Sequence, residues 1–475
     1  MINWRVQINS NITGVTSDSR RVKPGYLFAA LPGTKIDGRE FIPQALENGA
    51  IAILAETNTP HLIENIEYVE SDNPRRDYAY LCASFYQKQP DYIVAVTGTN
   101  GKTSTVNFVQ QIWQILGENS ASLGTLGVKT ADEFIEGAMT TPDPQVMHEI
   151  LAELTEKKIT HTALEASSHG LDQCRLEGVK LKAAAFTNLT QDHLDYHGDM
   201  DSYFLAKARL FGKLLPSNGV AVLNTDMDYF EKAKEVCLKQ NLKVTGYGQR
   251  ADEYLVYSDP VAVSNGYHLH FKIEGKGYDI NIPLVGRFQV DNALAAMLLV
   301  LSEGKHALED IIQAVENLKP VRGRLESVQG HPKGAGVFVD YAHTPDALVS
   351  ALSSLKHHAH GKIIGVFGCG GDRDKTKRPL MASAVNQNAD VAILTDDNPR
   401  TEDAAAIRAD ALKGAPDAIE IGDRYQAIKH AVHLAEKNDI VLIAGKGHEQ
   451  GQEIMGVKHP FDDVTEAKKA MREIS

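Results

Sequence analysis

The chain has little of what an extracellular or membrane-embedded protein needs. Its four cysteines, Cys82, Cys174, Cys237 and Cys369, lie far apart with no Cys-x-x-Cys pair. That spacing argues against a disulfide scaffold and excludes a zinc ribbon. No apolar run approaches the ~20 residues that a bilayer crossing takes. The opening Met1-Ile-Asn-Trp-Arg-Val-Gln lacks the apolar centre of a signal peptide. Basic residues are outnumbered, with Lys plus Arg at 49 and Asp plus Glu at 62, for a formal net charge of −13. This balance argues against a nucleic-acid partner, while a local basic pocket for a phosphorylated small molecule is compatible with it. The expectation is a cytoplasmic protein, with no membrane partner and no nucleic acid.

What is present is ordinary globular composition, 43% hydrophobic and 23% charged over 475 residues. At about 150 residues per domain, that length suggests roughly three domains. Up to Gln89-Pro90, short apolar runs such as Tyr26-Leu-Phe-Ala-Ala-Leu alternate with polar turns. Tyr92-Ile-Val-Ala-Val96 then reads as a buried strand, and Val106, Val109, Ile112, Trp113 and Leu116 recur at helical spacing before Gly117. Ala183–Phe186 and Gly219–Leu223 continue the strands, and Tyr254–Ile282 turns to a period of two, which predicts antiparallel pairing. After about Glu326 the β/α alternation restarts with Lys362–Phe367, Val391–Leu394 and Ile440–Ala444. The fold class expected is α/β in three domains. These are a small α/β domain (1–88), a central P-loop ATPase-like domain with a mostly parallel sheet (89–325) and a Rossmann-like C-terminal domain (326–475).

Thr97-Gly-Thr-Asn-Gly-Lys-Thr-Ser104 sits between that strand and that helix, the setting of a phosphate-binding loop. Gly98 and Gly101 allow a tight turn that points amides inward, Thr99 and Asn100 lie between them, and Ser104 follows on the helix. Lys102 supplies a positive charge for β/γ-phosphates, and the Thr103 hydroxyl can ligate Mg²⁺. The generic GxxxxGK[ST] pattern would put glycine at Val96. The shorter TGTNGKTS resembles the nucleotide loop of the Mur ligase family, the ATP-dependent amide-forming enzymes of peptidoglycan assembly, a loop shared with folylpolyglutamate synthetases.

Glu165 closes the run His161-Thr-Ala-Leu-Glu165, and a carboxylate at a strand end beside a phosphate loop is a natural Mg²⁺ ligand. Asp192, His193, Asp195 and His197 are dense in Asn188-Leu-Thr-Gln-Asp-His-Leu-Asp-Tyr-His197. Spacing alone leaves a transition-metal site and a hydrogen-bond network equally open. Similarity to the Mur ligase segment implies that His193 helps hold a second Mg²⁺. Lys207, in Ala206-Lys-Ala-Arg-Leu-Phe211, is by itself an ordinary surface lysine; the resemblance implies N6-carboxylysine, a carboxylate-like support for the Mg²⁺ site. It likewise implies that Asn292 contacts adenine, Arg324 faces phosphate and Asp340 binds ribose.

The same resemblance assigns Thr140, Thr141, Ser167, Gln173 and Arg175 to the muramoyl-peptide, with Met139 standing where the family has asparagine. It assigns Ser17 and Ser19, with Thr34, Lys35 and Ile36 in Gly33–Gly38, to a uridine-diphosphate pocket. Near the C-terminus, Phe367–Lys375, Thr395–Arg400 and Ala444–Glu449 each follow a strand, so their loops should converge. Arg373 and Arg400 suit a carboxylate, and Glu449 an ammonium group. Asp397-Asn398-Pro399-Arg400 resembles the signature of the branch that adds meso-diaminopimelate, with Gly445 in the same binding set. His357, His358 and His360 read as a solvated helix end, and Cys369 has no neighbouring base to activate it.

The expected activity is ligation of meso-diaminopimelate to the D-Glu side-chain carboxylate of UDP-N-acetylmuramoyl-L-Ala-D-Glu through an acyl phosphate. ATP is the co-substrate, Mg²⁺ the cofactor, and a monomer acting on small molecules the expected state. L-lysine as the added amino acid is disfavoured by Asp397–Arg400. A silent nucleotide-binding regulator would have lost Lys102, Glu165, His193 or Lys207, and all four are present.

Overall fold

The computed structural model describes residues 11–33, 36–63, 66–137, 139–250, 254–263 and 266–474. Three sheets follow one another along the chain. The first has four parallel strands in sequence order, Gly14–Thr16, Tyr26–Ala29, Ala50–Glu56 and Glu67–Ser71. Because side chains alternate along a strand, Leu27 and Ala29 pack against Tyr78 and Leu81 while Phe28 and Ala30 pack against Ile42 and Ala45 on the other face. Both faces are thus covered, by helices Pro74–Tyr86 and Ile42–Glu47. The longer helix starts cleanly: Asn73 accepts from the Arg76 amide and Pro74 holds the first position. The connection at Gln89 is pinned, since its side chain donates to Gly178 O (2.8 Å) and accepts from the Lys180 amide (3.0 Å).

In the central sheet, parallel strands run in the order Lys243–Gly248, Val220–Asn224, Leu181–Phe186, Tyr92–Thr97, His161–Glu165, Ser120–Gly124. Antiparallel strands extend it at one side, around Gly266–Ile273 and Lys276–Ile282, as the period-two pattern predicts. Val94 and Val96 face helices Lys102–Ile115 and Arg287–Leu301, and Ile93 and Ala95 face Met147, Leu151 and Phe204. Truncating a buried side chain such as Phe108 there would cost about 3–5 kcal/mol. The phosphate-loop strand lies between Leu181–Phe186 and His161–Glu165, so the three loops that follow these strands emerge side by side.

The third sheet runs Glu326–Ser327, Gly336–Asp340, Ile440–Ala444, Ile363–Cys369, Val391–Asp396, Ile419–Glu420, parallel except for the first strand. Helices Pro345–Lys356, Lys377–Asn388 and Ala404–Leu412 cover one face; Arg424–Leu434 and Asp463–Arg472 cover the other. A two-stranded hairpin, Gly451–Ile454 with Val457–Pro460, follows the Ile440–Ala444 strand. His357 and His360 are exposed, whereas His358 is half-buried edge-on to Tyr267 of the central sheet (ring centroids 5.1 Å). That histidine belongs to a domain contact, not to a wholly solvated helix end. No helix among the described residues is long and apolar enough to cross a membrane.

Candidate active site

The phosphate loop is held from behind. The Thr99 amide donates to Asn188 O (2.9 Å), the Asn100 amide to Asn188 Oδ1 (2.9 Å), and Thr187 Oγ1 to Asn100 O (2.6 Å). Gly101 has φ +88°, and a methyl there would drive into Asn292 Oδ1. Helix Lys102–Ile115 begins at the loop, with its free amides toward the cavity. Lys102 Nζ donates to Gly98 O and Thr99 O, both at 2.8 Å. Lys207, fully buried, donates its Nζ to the same Gly98 O at 2.8 Å and lies over the Tyr203 ring at 4.5 Å. Burial, with the Lys102 charge beside it, holds the Lys207 amine well below the usual ammonium range.

Glu165 is buried at its strand end. Its Oε1 accepts from the Thr125 amide (2.8 Å), and its Oε2 accepts from Thr125 Oγ1 (3.2 Å) and Thr103 Oγ1 (3.1 Å). Gly124 must be glycine, because a Cβ would strike this carboxylate. Arg324 donates to Thr103 Oγ1 (3.1 Å) while stacking on Tyr341 (4.5 Å). His193, with φ +52°, sits 3.4 Å from Asp192, which takes Lys377 of the third-sheet domain at 2.9 Å. Burial pushes the His193 imidazole down to about 4, which leaves it neutral with a free lone pair.

Lys102, Thr103, Thr125, Glu165, Asp192, His193 and Arg324 line one cavity of about 480 Å³, closed on its far side by Asp340–His343, Asp346, Ala347 and Ser350, while Lys207 sits behind the loop on Gly98 O, outside that lining. Ser104 and Thr140 line it too, and Asn292, whose amide donates to Gln289 Oε1 (2.9 Å), forms its floor. Asp340 accepts from the Leu325 amide (2.6 Å) and the Ala342 amide (2.8 Å), so its carboxylate pins the junction between the second and third sheets.

A second cavity of about 200 Å³ joins the first two domains, lined by Ser17, Leu31, Arg75, Tyr78, Met139, Asp143, Pro144, Gln173 and Arg175. Arg175 donates to Thr141 O and Gln173 Oε1, both at 2.7 Å, and its Nη1 lies 3.6 Å from Met139 Sδ. Thr141 Oγ1 donates to Glu165 O (2.9 Å) and accepts from the Ser167 amide and hydroxyl (3.0 Å each), tying this cavity to the first. Thr140 Oγ1 meets Thr125 Oγ1 at 2.9 Å. Ser19 lies elsewhere, its hydroxyl donating to Gln44 (2.7 Å), and Ile36 is exposed. Thr34 and Lys35 fall outside the described residues.

The three C-terminal loops do converge. Asn398 donates to Glu449 Oε2 (2.9 Å), and Arg400 donates to Gly371 O (2.7 Å). Asp397 and Pro399 are buried in the Asp397–Arg400 turn, and Arg373 is exposed at the rim. The Gly445 amide donates to Asp340 O (3.1 Å), and the rings of Tyr341 and His448 lie 5.1 Å apart, so this crevice adjoins the phosphate-loop cavity. Cys369 lies beneath it with burial pushing its thiol up to about 12, an inert group. Sequence reasoning passed over Thr125, Asn188, Arg75, Tyr78 and Lys446. Asn188 alone carried a signal, its place directly after the Leu181–Phe186 strand; the others are placed only by the fold.

A phosphate loop, a buried acid beside its threonine and a crevice on the next domain fit the Mur ligases, and the chain belongs to that family. The family's catalytic domain matches residues 11–82, its middle domain 96–300 and its glutamate ligase domain 323–447. Among its relatives is the UDP-N-acetylmuramoyl-L-alanyl-D-glutamate--2,6-diaminopimelate ligase of Caulobacter vibrioides, 47% identical over 466 residues, covering 97% of this chain and 95% of that protein. The ligase of the same name from Agrobacterium fabrum is 44% identical, covering 98% and 94%. A solved structure of a ligase with this name superposes with a TM-score of 0.71 at 35% identity, covering 97% of this chain and 94% of that one.

Proposed function

We propose that the chain joins meso-2,6-diaminopimelate to the D-glutamate side-chain carboxylate of UDP-N-acetylmuramoyl-L-alanyl-D-glutamate, at the cost of ATP, in the synthesis of peptidoglycan precursors. The observation that carries this reading is the adjacency of two half-sites. The phosphate-loop cavity with Glu165 abuts, through Tyr341 and His448, a crevice holding Arg400, Asn398 and Glu449.

The carboxylate oxygen of the substrate attacks the γ-phosphorus, the bond to the bridging oxygen breaks, and ADP leaves an acyl phosphate. Lys102, bonded here to its own loop carbonyls, turns to the phosphate oxygens, where its charge counts most in the transition state. The donor set suits a hard cation: a buried carboxylate 3.1 Å from a threonine hydroxyl, with a neutral imidazole nearby. Thr103, Glu165, His193 and Lys207 as N6-carboxylysine would hold Mg²⁺, which neutralises charge between phosphate and carboxylate. The Lys207 amine, kept neutral by burial, is the form that adds to CO₂; a C–N bond forms and a proton goes to water. The diaminopimelate amine then attacks the acyl carbon, the C–O bond to phosphate breaks, and the nitrogen sheds a proton. Arg400 takes the carboxylate of the distal centre, and Glu449, held in place by the Asn398 amide, takes its ammonium group. The small cavity with Arg175, Gln173, Arg75 and Ser17 receives the muramoyl-peptide end. We place the enzyme in the cytoplasm as a monomer; the unpaired, buried state of all four thiols suits a reducing compartment.

The test is phosphate release with ATP, Mg²⁺ and the UDP-muramoyl-dipeptide, comparing meso-diaminopimelate with L-lysine and weighing the product. Release only with diaminopimelate, with a product of the matching mass, is expected. Turnover with lysine alone would keep the ligase and discard the amino-acid assignment.

A further inference from the structure

Arg400, on which recognition of the added amino acid rests, holds a left-handed backbone (φ +53°) that a residue with a Cβ adopts only under constraint. The constraint comes from the Gly451–Pro460 hairpin, which lies beyond the matched glutamate ligase domain. The Arg400 amide donates to Glu453 O (3.0 Å), and the Met455 amide donates to Arg400 O (2.6 Å). Gln452 Nε2 donates to Asp397 O (2.7 Å), and the Glu453 amide donates to Asn398 Oδ1 (2.9 Å). The hairpin therefore touches three of the four residues of the Asp397–Arg400 turn.

Beneath it lies Lys446, fully buried. Its Nζ donates to Asn398 Oδ1 (2.7 Å) and Gly451 O (2.8 Å) and stands 3.3 Å from Asp397 and 3.8 Å from Glu449. One ammonium thus binds the hairpin's first residue, the turn and the Glu449 loop together. Asn398, its oxygen taken by Lys446, is left to aim its amide at Glu449 (2.9 Å).

We infer that Lys446 and the Gly451–Pro460 hairpin form the positioning device that sets Arg400, Asn398 and Glu449 for the distal amino-acid centre, so that selection of diaminopimelate depends on residues that need not touch it. This rests on the function proposed above. Without the device the turn relaxes, Arg400 leaves its left-handed conformation, and the crevice loses its grip on both the carboxylate and the amine, while the nucleotide cavity keeps its walls.

The test is steady-state kinetics on the full chain with Lys446→Met and Gln452→Leu, the second on the more exposed hairpin, where it leaves the buried ammonium intact. The expected result is a rise in KM for diaminopimelate of about tenfold for Gln452→Leu and about a hundredfold for Lys446→Met. KM for ATP and for the UDP-muramoyl-dipeptide should stay within about twofold, a split that general loosening does not produce. An unchanged KM for diaminopimelate in Gln452→Leu, or a parallel rise of all three constants, would overturn the inference while leaving the ligase assignment standing. Absence of diaminopimelate turnover in the unaltered protein would remove both readings.

Discussion

Gly98 O accepts from two lysines, Lys102 and Lys207, each at 2.8 Å, and only one of them can serve the phosphates directly. Lys207→Ala should lower turnover by about a thousandfold or more, as loss of a preorganised charge does. A small added carboxylate such as formate should restore part of it in a phosphate-release assay; full activity in the plain alanine variant would sink the carbamate role. Nothing in Ala206-Lys-Ala-Arg marks this residue. Its distinction is burial against a carbonyl 109 positions away, which local pattern cannot carry and only family resemblance supplied. His148 makes a separate prediction. Buried with Nε2 on Glu177 O (3.2 Å), its imidazole is pushed down to about 4. The unfolded chain takes up that proton near the ordinary pKa of about 6.5, so between these values the unfolded state binds more protons. Stability should therefore fall as pH drops through this window, by about 3 kcal/mol from this group. His148→Gln should flatten that loss in urea melts at pH 7 and pH 4.5.

At the scale of elements, the strand–loop–helix unit around Thr97–Ser104 was readable because its two periods, continuous and then helical, meet at glycines. The glycines explain themselves only in the fold, where Gly101 gives way to Asn292 from a helix almost two hundred positions on. Gly101→Ala should weaken ATP binding about a hundredfold by calorimetry, since it forces both a disfavoured φ and the displacement of Asn292. An unaltered affinity would mean that the loop has slack the packing does not suggest. The Gly451–Pro460 hairpin was not foreseen. Its strands are four residues each, too short for a clear alternation, and Val457–Pro460 is exposed throughout. The antiparallel stretch after Tyr254 was legible because Gly266–Ile273 is eight residues long and buries alternate side chains.

At the scale of the molecule, the second and third sheets are bridged by polar and aromatic contacts and by Val285 and Phe288, which pack on the third-domain core. Lys377 reaches Asp192, Arg324 reaches Thr103, and His358 meets Tyr267. Lys377 is a quarter exposed and Asp192 less, so their pairing is only partly screened. Lys377→Met should let the third domain swing outward, seen as a larger radius of gyration in small-angle scattering without ligands, and nucleotide should draw it back. An identical radius in both proteins would mean that the pair does not govern the domain angle. How domains sit on one another was beyond sequence reading, because such contacts join isolated residues far apart in the chain, with no shared periodicity to announce the pairing.

The phosphate-loop cavity takes one wall from Thr99–Ser104 and the other from Asp340–His343, Asp346, Ala347 and Ser350. On the function proposed above, a nucleotide bound there would be mortar between two blocks, and part of its binding free energy would go into holding them together. Any fraction of molecules with the blocks apart would lower its apparent affinity, and anything that favours the joined arrangement would raise it. On the function proposed above, the amino acid sits in the Asn398, Arg400 and Glu449 crevice of the third domain and would be such an agent. By thermodynamic reciprocity, it must tighten the hold on nucleotide by the same factor by which nucleotide tightens the hold on it.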